Sequence, residues 1–161
     1  MTAEDRINAL IEKYGDMILR LSYTYMKNLP DAEDAAQDVF LKLIELLPEF
    51  NGAEHEKAWI IRVTINTCKN KLRFFGIRRS VPIEDIDIPV YDKHDENTEV
   101  FAAVMALPEK YRTVIHLYYY EEYSTPEIAH ITGRKESSIR SDLHRARARL
   151  KDVLKEGYDF E

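Results

Sequence analysis

Residues 77–97, "IRRSVPIEDIDIPVYDKHDEN", interrupt a chain otherwise written in helical periods. Pro82 and Pro89 each fix φ and remove a backbone donor, so a helix does not run through them. The stretch has no 3.6-residue pattern and holds most of a central block of acids. It reads as a flexible acidic linker, with a short strand around "IEDIDI" as the alternative. Whatever folds must then fold on either side of it. The expectation is an all-α protein of two small helical domains, residues 1–76 and 98–161, joined by residues 77–97.

The flanks support this. Ile7, Leu10, Ile11, Tyr14, Ile18 and Leu21 follow i, i+3, i+4 spacing, an amphipathic helix that ends before "KNLPD". Asp31 then stands as the cap of "AEDAAQDVFLKLIELL", whose acids crowd the favourable N-terminal end. Pro48 and "FNG" break that helix, and a third runs from about Glu56 to Phe75 and stops at Gly76. Helical spacing resumes at Val100, Val104 and Leu107, and "EKYRTVIHLYYYEEY" follows Pro108, its tyrosines read as core and boundary packing. Nothing in the pattern calls for a sheet.

Charge is segregated in the same way. The formal net charge of −6 argues weakly against a polyanion partner, yet the bases are not mixed with the acids. Lys57, Arg62, Lys69, Lys71, Arg73, Arg78 and Arg79 occupy a stretch without a single acid. Glu84, Asp85, Asp87, Asp92, Asp95, Glu96 and Glu99 follow, and Arg134 to Lys155 is basic again. Two basic blocks on separate modules point to two polyanion-facing surfaces.

The second block has internal structure. Ser124 and Glu127 form an S-x-x-E capping box, Pro126 falls in the first turn of the helix it starts, and Gly133 suits a tight turn with positive φ. Ala129 is small enough for a second helix to cross closely. A short helix, a Gly turn and a longer basic helix make a helix-turn-helix. At ~100° per residue, Ile139, Leu143, Ala146 and Leu150 share the core side of that longer helix. Ser137, Ser141, His144, Arg145 and Ala148 point away, with Arg140 on the flank; these groups suit base edges and phosphates in a major groove. A basic amphipathic helix standing alone is more often solvated surface, and the capped helix and Gly turn ahead of it favour the DNA-facing reading.

The first block belongs to "AWIIRVTINTCKNKLRFF". Ile61, Ile65, Cys68 and Leu72 make an apolar stripe, and Trp59, Arg62, Asn66, Lys69, Asn70 and Arg73 lie opposite. An acid-free row of Trp, Arg, Asn and Lys suits single-stranded DNA, where planar groups stack on bases and cations follow phosphates. Trp59 in the core above a merely polar surface is the equal alternative. Asp31, Glu33, Asp34, Gln37 and Asp38 exceed what compensation of a helix dipole requires, which admits either an interface for a basic partner or a solvated helix start.

Several classes are excluded. Cys68 is the lone cysteine, no Cys/His set has zinc spacing, and no phosphate-binding glycine motif or metalloprotease motif is present. No catalytic residue, metal, cofactor or small-molecule substrate is therefore expected. "MTAEDRINAL" lacks the basic start and apolar core of a signal peptide, and no segment approaches the ~20 apolar residues of a membrane span. The expected location is the cytoplasm, without membrane insertion.

Three segments together resemble one family, the extracytoplasmic-function group of the sigma-70 family of bacterial RNA polymerase sigma factors. "DAEDAAQDVFLKL" resembles its core-binding helix, "AWIIRVTINTCKNKLR" its promoter-melting helix, and "LPEKYRTVIHLYYYEEYSTPEIAHITGRKESSIRSDLHRARARLK" its C-terminal helix-turn-helix. The resemblance implies sigma-2 and sigma-4 domains and an alternative sigma factor that binds core RNA polymerase for promoter-specific initiation. It implies that Asp31, Glu33, Asp34, Gln37 and Asp38 face the beta-prime clamp helices, with the beta flap as a second polymerase contact. It assigns Arg62, Asn66, Lys69 and Asn70 to the −10 element, where a base is flipped, with His55 and Lys57 walling the base pocket before Trp59. Ser137, Arg140, Ser141, His144 and Arg145 are assigned to the −35 element. The linker would thread toward the active-site and RNA-exit channels, and an anti-sigma factor is the implied regulator. Asp142 departs from the family, which commonly has Arg or Lys there; "ESSI" replaces its Gly-Thr, and "NGAEHEKAW" is acidic for a loop beside DNA. The rival reading is a free-standing helix-turn-helix regulator.

Overall fold

The computed structural model describes residues 2–75 and 95–154, and the chain divides into two units, Met1–Val81 and Pro82–Glu161. Among the described residues every regular element is helical. The candidate strand at "IEDIDI" and the stop at Gly76 lie outside them.

The first unit is built from α1 (Ala3–Met26), α2 (Leu29–Leu46) and α3 (Ala53–Phe75). A capping box starts α1: Thr2 Oγ1 accepts from the Asp5 amide, and Asp5 accepts from the Thr2 amide. The helix ends at Lys27, whose backbone is left-handed at φ 68°. The cap of α2 is Asn28, not Asp31. Asn28 Oδ1 accepts from the Asp31 amide at 2.9 Å, while the Asp31 carboxylate accepts from Asn28 Nδ2. Pro30 in the first turn makes the earlier start possible, because its missing N–H would have no intrahelical acceptor there. The third helix begins at Ala53, earlier than the expected Glu56, directly after Gly52 at φ 98°.

The three helices pack on one another. Ile18 and Leu21 from α1, Val39 and Leu43 from α2, and Ile60, Ile61 and Cys68 from α3 expose no surface. Each large side chain buried this way contributes ~1.5–3 kcal/mol relative to exposure, which is what holds short polar-faced helices together. Ile11 and Leu72, expected in the core, are half-buried at its edge.

The second unit comprises α4 (Asp95–Met105), α5 (Glu109–Ile115), a π-helical turn (His116–Tyr120), α6 (Thr125–Thr132) and α7 (Glu136–Leu154). Helix α4 begins at Asp95, inside the stretch expected to be linker up to Asn97. Its neighbours pack mainly on α7, and Leu117, Ile128, Ile139 and Ala146 are completely buried. The π-helical turn is closed by the Glu121 amide donating to the His116 carbonyl at 3.1 Å. It leaves Tyr119 and Tyr120 at 37% and 48% exposure, so these two are surface rather than core. Beneath them the buried His116 ring and Glu121 carboxylate lie 3.1 Å apart.

The helix-turn-helix forms as the sequence predicts. Ser124 and Glu127 make the reciprocal capping box, and Gly133 ends α6 with φ 72° while its amide donates to Ala129 O.

Candidate nucleic-acid interface

On α7 the two faces separate cleanly. Ile139, Leu143, Ala146 and Leu150 are buried against the rest of their unit. Ser137, Arg140, His144 and Arg145 are exposed, and Ser141 is half-buried beside them. Arg140 has an acid nearby: its Nε lies 3.9 Å from Glu136, one helical turn away. The remaining arginines of the basic block turn back onto the unit. Arg147 donates to Tyr119 Oη at 2.8 Å and sits over Tyr118, and Arg149 lies over the Tyr111 ring. Arg140 and Arg145 are thus offered to solvent while Arg147 and Arg149 hold the helix to its aromatic support.

Asp142 does not disturb that face. It is 3% exposed, buried at the edge of the core stripe, and its carboxylate accepts from Arg134 Nη2 at 2.7 Å. The acid that departs from the family pattern is therefore removed from the basic surface and matched by a base at the turn.

On α3 the expected polar row is present. Arg62, Asn66, Lys69, Asn70 and Arg73 are exposed, and Arg73 Nη1 approaches Asn70 Oδ1 at 3.4 Å. Trp59 lies between the two readings made for it: half-buried, with Phe50 edge-on to its ring at 5.5 Å. The same Phe50 meets the His55 ring at 5.5 Å, and His55 Nδ1 accepts from the Asn51 amide. His55 is exposed and Lys57 half-buried, so the structure gathers Phe50, His55 and Trp59 at the start of α3. Phe50 escaped sequence reasoning because "FNG" reads as a helix breaker rather than as an aromatic wall. The acidity of this loop also has a local account. Glu56 accepts from Tyr14 Oη at 2.7 Å and pairs with Lys13 Nζ at 3.2 Å, which turns its charge toward α1. Burial first, then the Glu56 hydrogen bond, pushes the Tyr14 phenol up.

The acidic group on α2 is only partly free. Glu33 and Gln37 are exposed, and Asp31 is half-buried on its cap. Asp34 and Asp38, one turn apart, share Lys71 of α3, with Nζ at 2.8 Å and 2.7 Å from their carboxylates. Burial pulls the Lys71 ammonium down; the hydrogen bonds to Asp34 and Asp38, with their charges, outweigh it and leave its pKa raised. Beside these acids a groove of about 610 Å³ runs between α1 and α2, lined among others by Asp16, Leu19, Glu33, Asp34, Gln37 and Phe40. Further along α2, Leu41, Ile44 and Leu46 are exposed at 57%, 49% and 56%. Sequence reasoning passed over these three, although "FLKLIELL" carries more apolar residues than one buried face uses.

Comparison with known proteins decides the family. Residues 10–74 match the family model for sigma-70 region 2, and residues 98–150 match that for sigma-70 region 4. RNA polymerase sigma factor SigV of Bacillus subtilis is 30% identical over 79% of this chain and 78% of its own length. The sigma-H factor of Pseudomonas aeruginosa is 30% identical over 90% of this chain and 84% of its own. The chain belongs to the sigma-70 family, in its extracytoplasmic-function group.

Its function is that of an alternative RNA polymerase sigma factor. The free-standing regulator reading is set aside, since it accounts for region 4 and leaves region 2 without a purpose. The group's SigE from Mycolicibacterium smegmatis is 30% identical over 90% of this chain, which spans 60% of that protein's length. Two solved structures share the sigma-factor fold. The sigma factor RpoE of Bartonella quintana, in complex with the anti-sigma factor NepR, gives a TM-score of 0.72 at 21% identity, covering 96% of this chain and 98% of that one. CnrH, in complex with the cytosolic domain of CnrY, gives 0.69 at 22%, covering 94% and 89%. Among the described residues, no helix is long and apolar enough to cross a membrane and no group of three or more His, Cys, Asp or Glu is placed to hold a metal ion.

Proposed function

We propose that this sigma factor joins core RNA polymerase through α2, reads the −35 element as duplex through α7 and takes the −10 element as melted strand on α3. The observation that carries the reading is the division of labour between two helices. The α7 face presents Ser137, Arg140, Ser141, His144 and Arg145, short donors and Arg that suit a major groove. The α3 face presents Arg62, Asn66, Lys69, Asn70 and Arg73 without an acid, beside the aromatic cluster of Trp59, His55 and Phe50, where an unstacked base finds rings to stack on. Lys57, half-buried two residues before Trp59, is the base next to that cluster in sequence.

On α2, Glu33, Asp34 and Gln37 border a groove whose lining includes Leu19 and Phe40, Asp38 lies one turn on from Asp34, and Leu41, Ile44 and Leu46 are exposed further along the helix. Acids around apolar side chains fit a basic, amphipathic helical partner, the chemistry expected of the polymerase clamp helices. Asp31, half-buried and held by the capping Asn28, stands at the edge of this surface. Region 4 would meet the beta flap. The protein works in the cytoplasm, as a transcription initiation factor and not an enzyme. An anti-sigma factor is the fitting regulator, in keeping with the partner named for the RpoE structure.

Core RNA polymerase supplies the test. The protein should co-elute with core enzyme, and duplex −35 binding without polymerase should be weak by comparison with binding in the holoenzyme. Failure to co-elute, together with tight polymerase-independent binding to a duplex operator, would sink the reading.

A further inference from the structure

The helix-turn-helix is held by two kinds of contact. Helix α6 packs on α7 through buried Ile128 and Ile131 on one side and Ile139 and Leu143 on the other. Apolar contact of this sort has no direction, so it fixes the distance between helices better than their rotation. Two polar ties supply direction. Thr125 Oγ1 donates to Glu136 Oε2 at 2.9 Å, joining the first turns of α6 and α7. Arg134 Nη2 donates to Asp142 Oδ2 at 2.7 Å, joining the turn between the helices to the second turn of α7. The second tie is the stronger by its setting: Asp142 is nearly inaccessible and the Arg134 side chain is two-thirds covered. A charge-assisted hydrogen bond shielded from water is stiff in both distance and angle.

We propose that Asp142 is a positioning residue of −35 recognition, which acts through Arg134 to set the rotation of α7 and so the aim of Arg140, Ser141, His144 and Arg145. This rests on the reading of α7 as the −35 helix. The expected sign is opposite to that of simple charge repulsion. If Asp142 acted by its field alone, removing an acid from a DNA-binding helix would raise affinity for duplex. If it positions α7, removing it lowers affinity, because the contacts with base edges lose their geometry.

The test uses the holoenzyme with core polymerase, a −35 duplex and three substitutions of this pair, Asp142→Asn, Arg134→Gln and Arg134→Lys, with Arg145→Ala as the reference. The expected result for Asp142→Asn and Arg134→Gln is weaker −35 binding by about tenfold, the scale of one lost base contact, with a flattened preference among −35 sequences. Arg134→Lys keeps a charge within reach of Asp142 and should recover most of the affinity. The salt dependence of binding separates positioning from contact: a lost phosphate contact lowers the slope of log K against log salt by about one, whereas lost aim leaves Arg134's share unchanged. Tighter binding by Asp142→Asn overturns the proposal, as does a lowered slope for Arg134→Gln that Arg134→Lys restores with no change in sequence preference. If Asp142→Asn fails to fold, the variants of the less buried partner, Arg134, carry the same test. Weak binding by Arg145→Ala with unchanged binding by the pair variants defeats the positioning role alone. Unchanged binding by Arg145→Ala defeats the −35 reading itself.

Discussion

At the scale of single residues, burial and pairing sort the charges that the sequence leaves undivided. Arg145 and Arg147 are two positions apart in one basic run, yet Arg145 faces solvent and Arg147 is bound to Tyr119 and stacked on Tyr118. Arg145→Ala should therefore weaken duplex −35 binding by about 1–3 kcal/mol if its fork spans a guanine. Fluorescence anisotropy of the holoenzyme on matched and mutated −35 duplexes reads that loss. Lys71 shows the same sorting on α3, since it stands between Lys69 and Arg73 in sequence but clasps Asp34 and Asp38 of α2. Its raised pKa in the folded state fixes a sign. The clasp's contribution is complete below the ordinary lysine value of ~10.4 and is lost as pH rises through the higher folded value. Urea unfolding of the protein and of Lys71→Met should differ by up to about 1 kcal/mol at neutral pH and converge at strongly alkaline pH. A gap that persists there would mean that the charge is not what the clasp uses.

At the scale of elements, the helices were legible and several of their ends were not. The stripe of Ile139, Leu143, Ala146 and Leu150 is buried as its 100° spacing requires, and the capping box at Ser124 and the turn at Gly133 stand where their residue types point. Those ends are legible because each rests on a local preference. Lys27 and Leu47 close α1 and α2 in the same left-handed conformation without glycine, so nothing in the residue type marks them. The π-helical turn at His116–Tyr120 was hidden for a related reason, because a search for 3.6-residue periods assumes the very ladder that the turn departs from. The α7 face was legible, whereas the Phe50 wall and the Lys71 clasp depend on contacts between helices that periodicity does not encode. Gly133 gives an element-scale prediction. A Cβ there would meet nothing within 4 Å, so the cost of Gly133→Ala is the left-handed backbone alone, about 1 kcal/mol. Thermal melts should show that modest loss with Gly133→Asn milder, and a much larger drop for Ala would point to a hidden steric clash. On α3, Asn70→Ala should leave core polymerase binding intact and slow promoter opening, read by permanganate footprinting of unpaired thymines. Normal opening would remove Asn70 from the −10 surface.

For the whole molecule, the acidic net charge and the two basic faces are reconciled by placement. Acids accumulate on α2 and through residues 84–99, while α3 and α7 each keep a solvent-facing polar side that carries Arg. A protein of this charge gains little from non-specific attraction to DNA, so on the proposed reading its hold on a promoter depends on delivery by core polymerase bound at α2. Promoter specificity then becomes a property of the assembly, with each unit contributing one surface. Transcription reconstituted from purified core polymerase, this protein and a pool of promoter fragments tests that claim directly. Transcripts with defined 5′ ends should appear only when both protein and core enzyme are present, and should be reduced by either Asn70→Ala or Arg145→Ala. Transcripts indifferent to the added protein, or identical for the wild type and both variants, would contradict it.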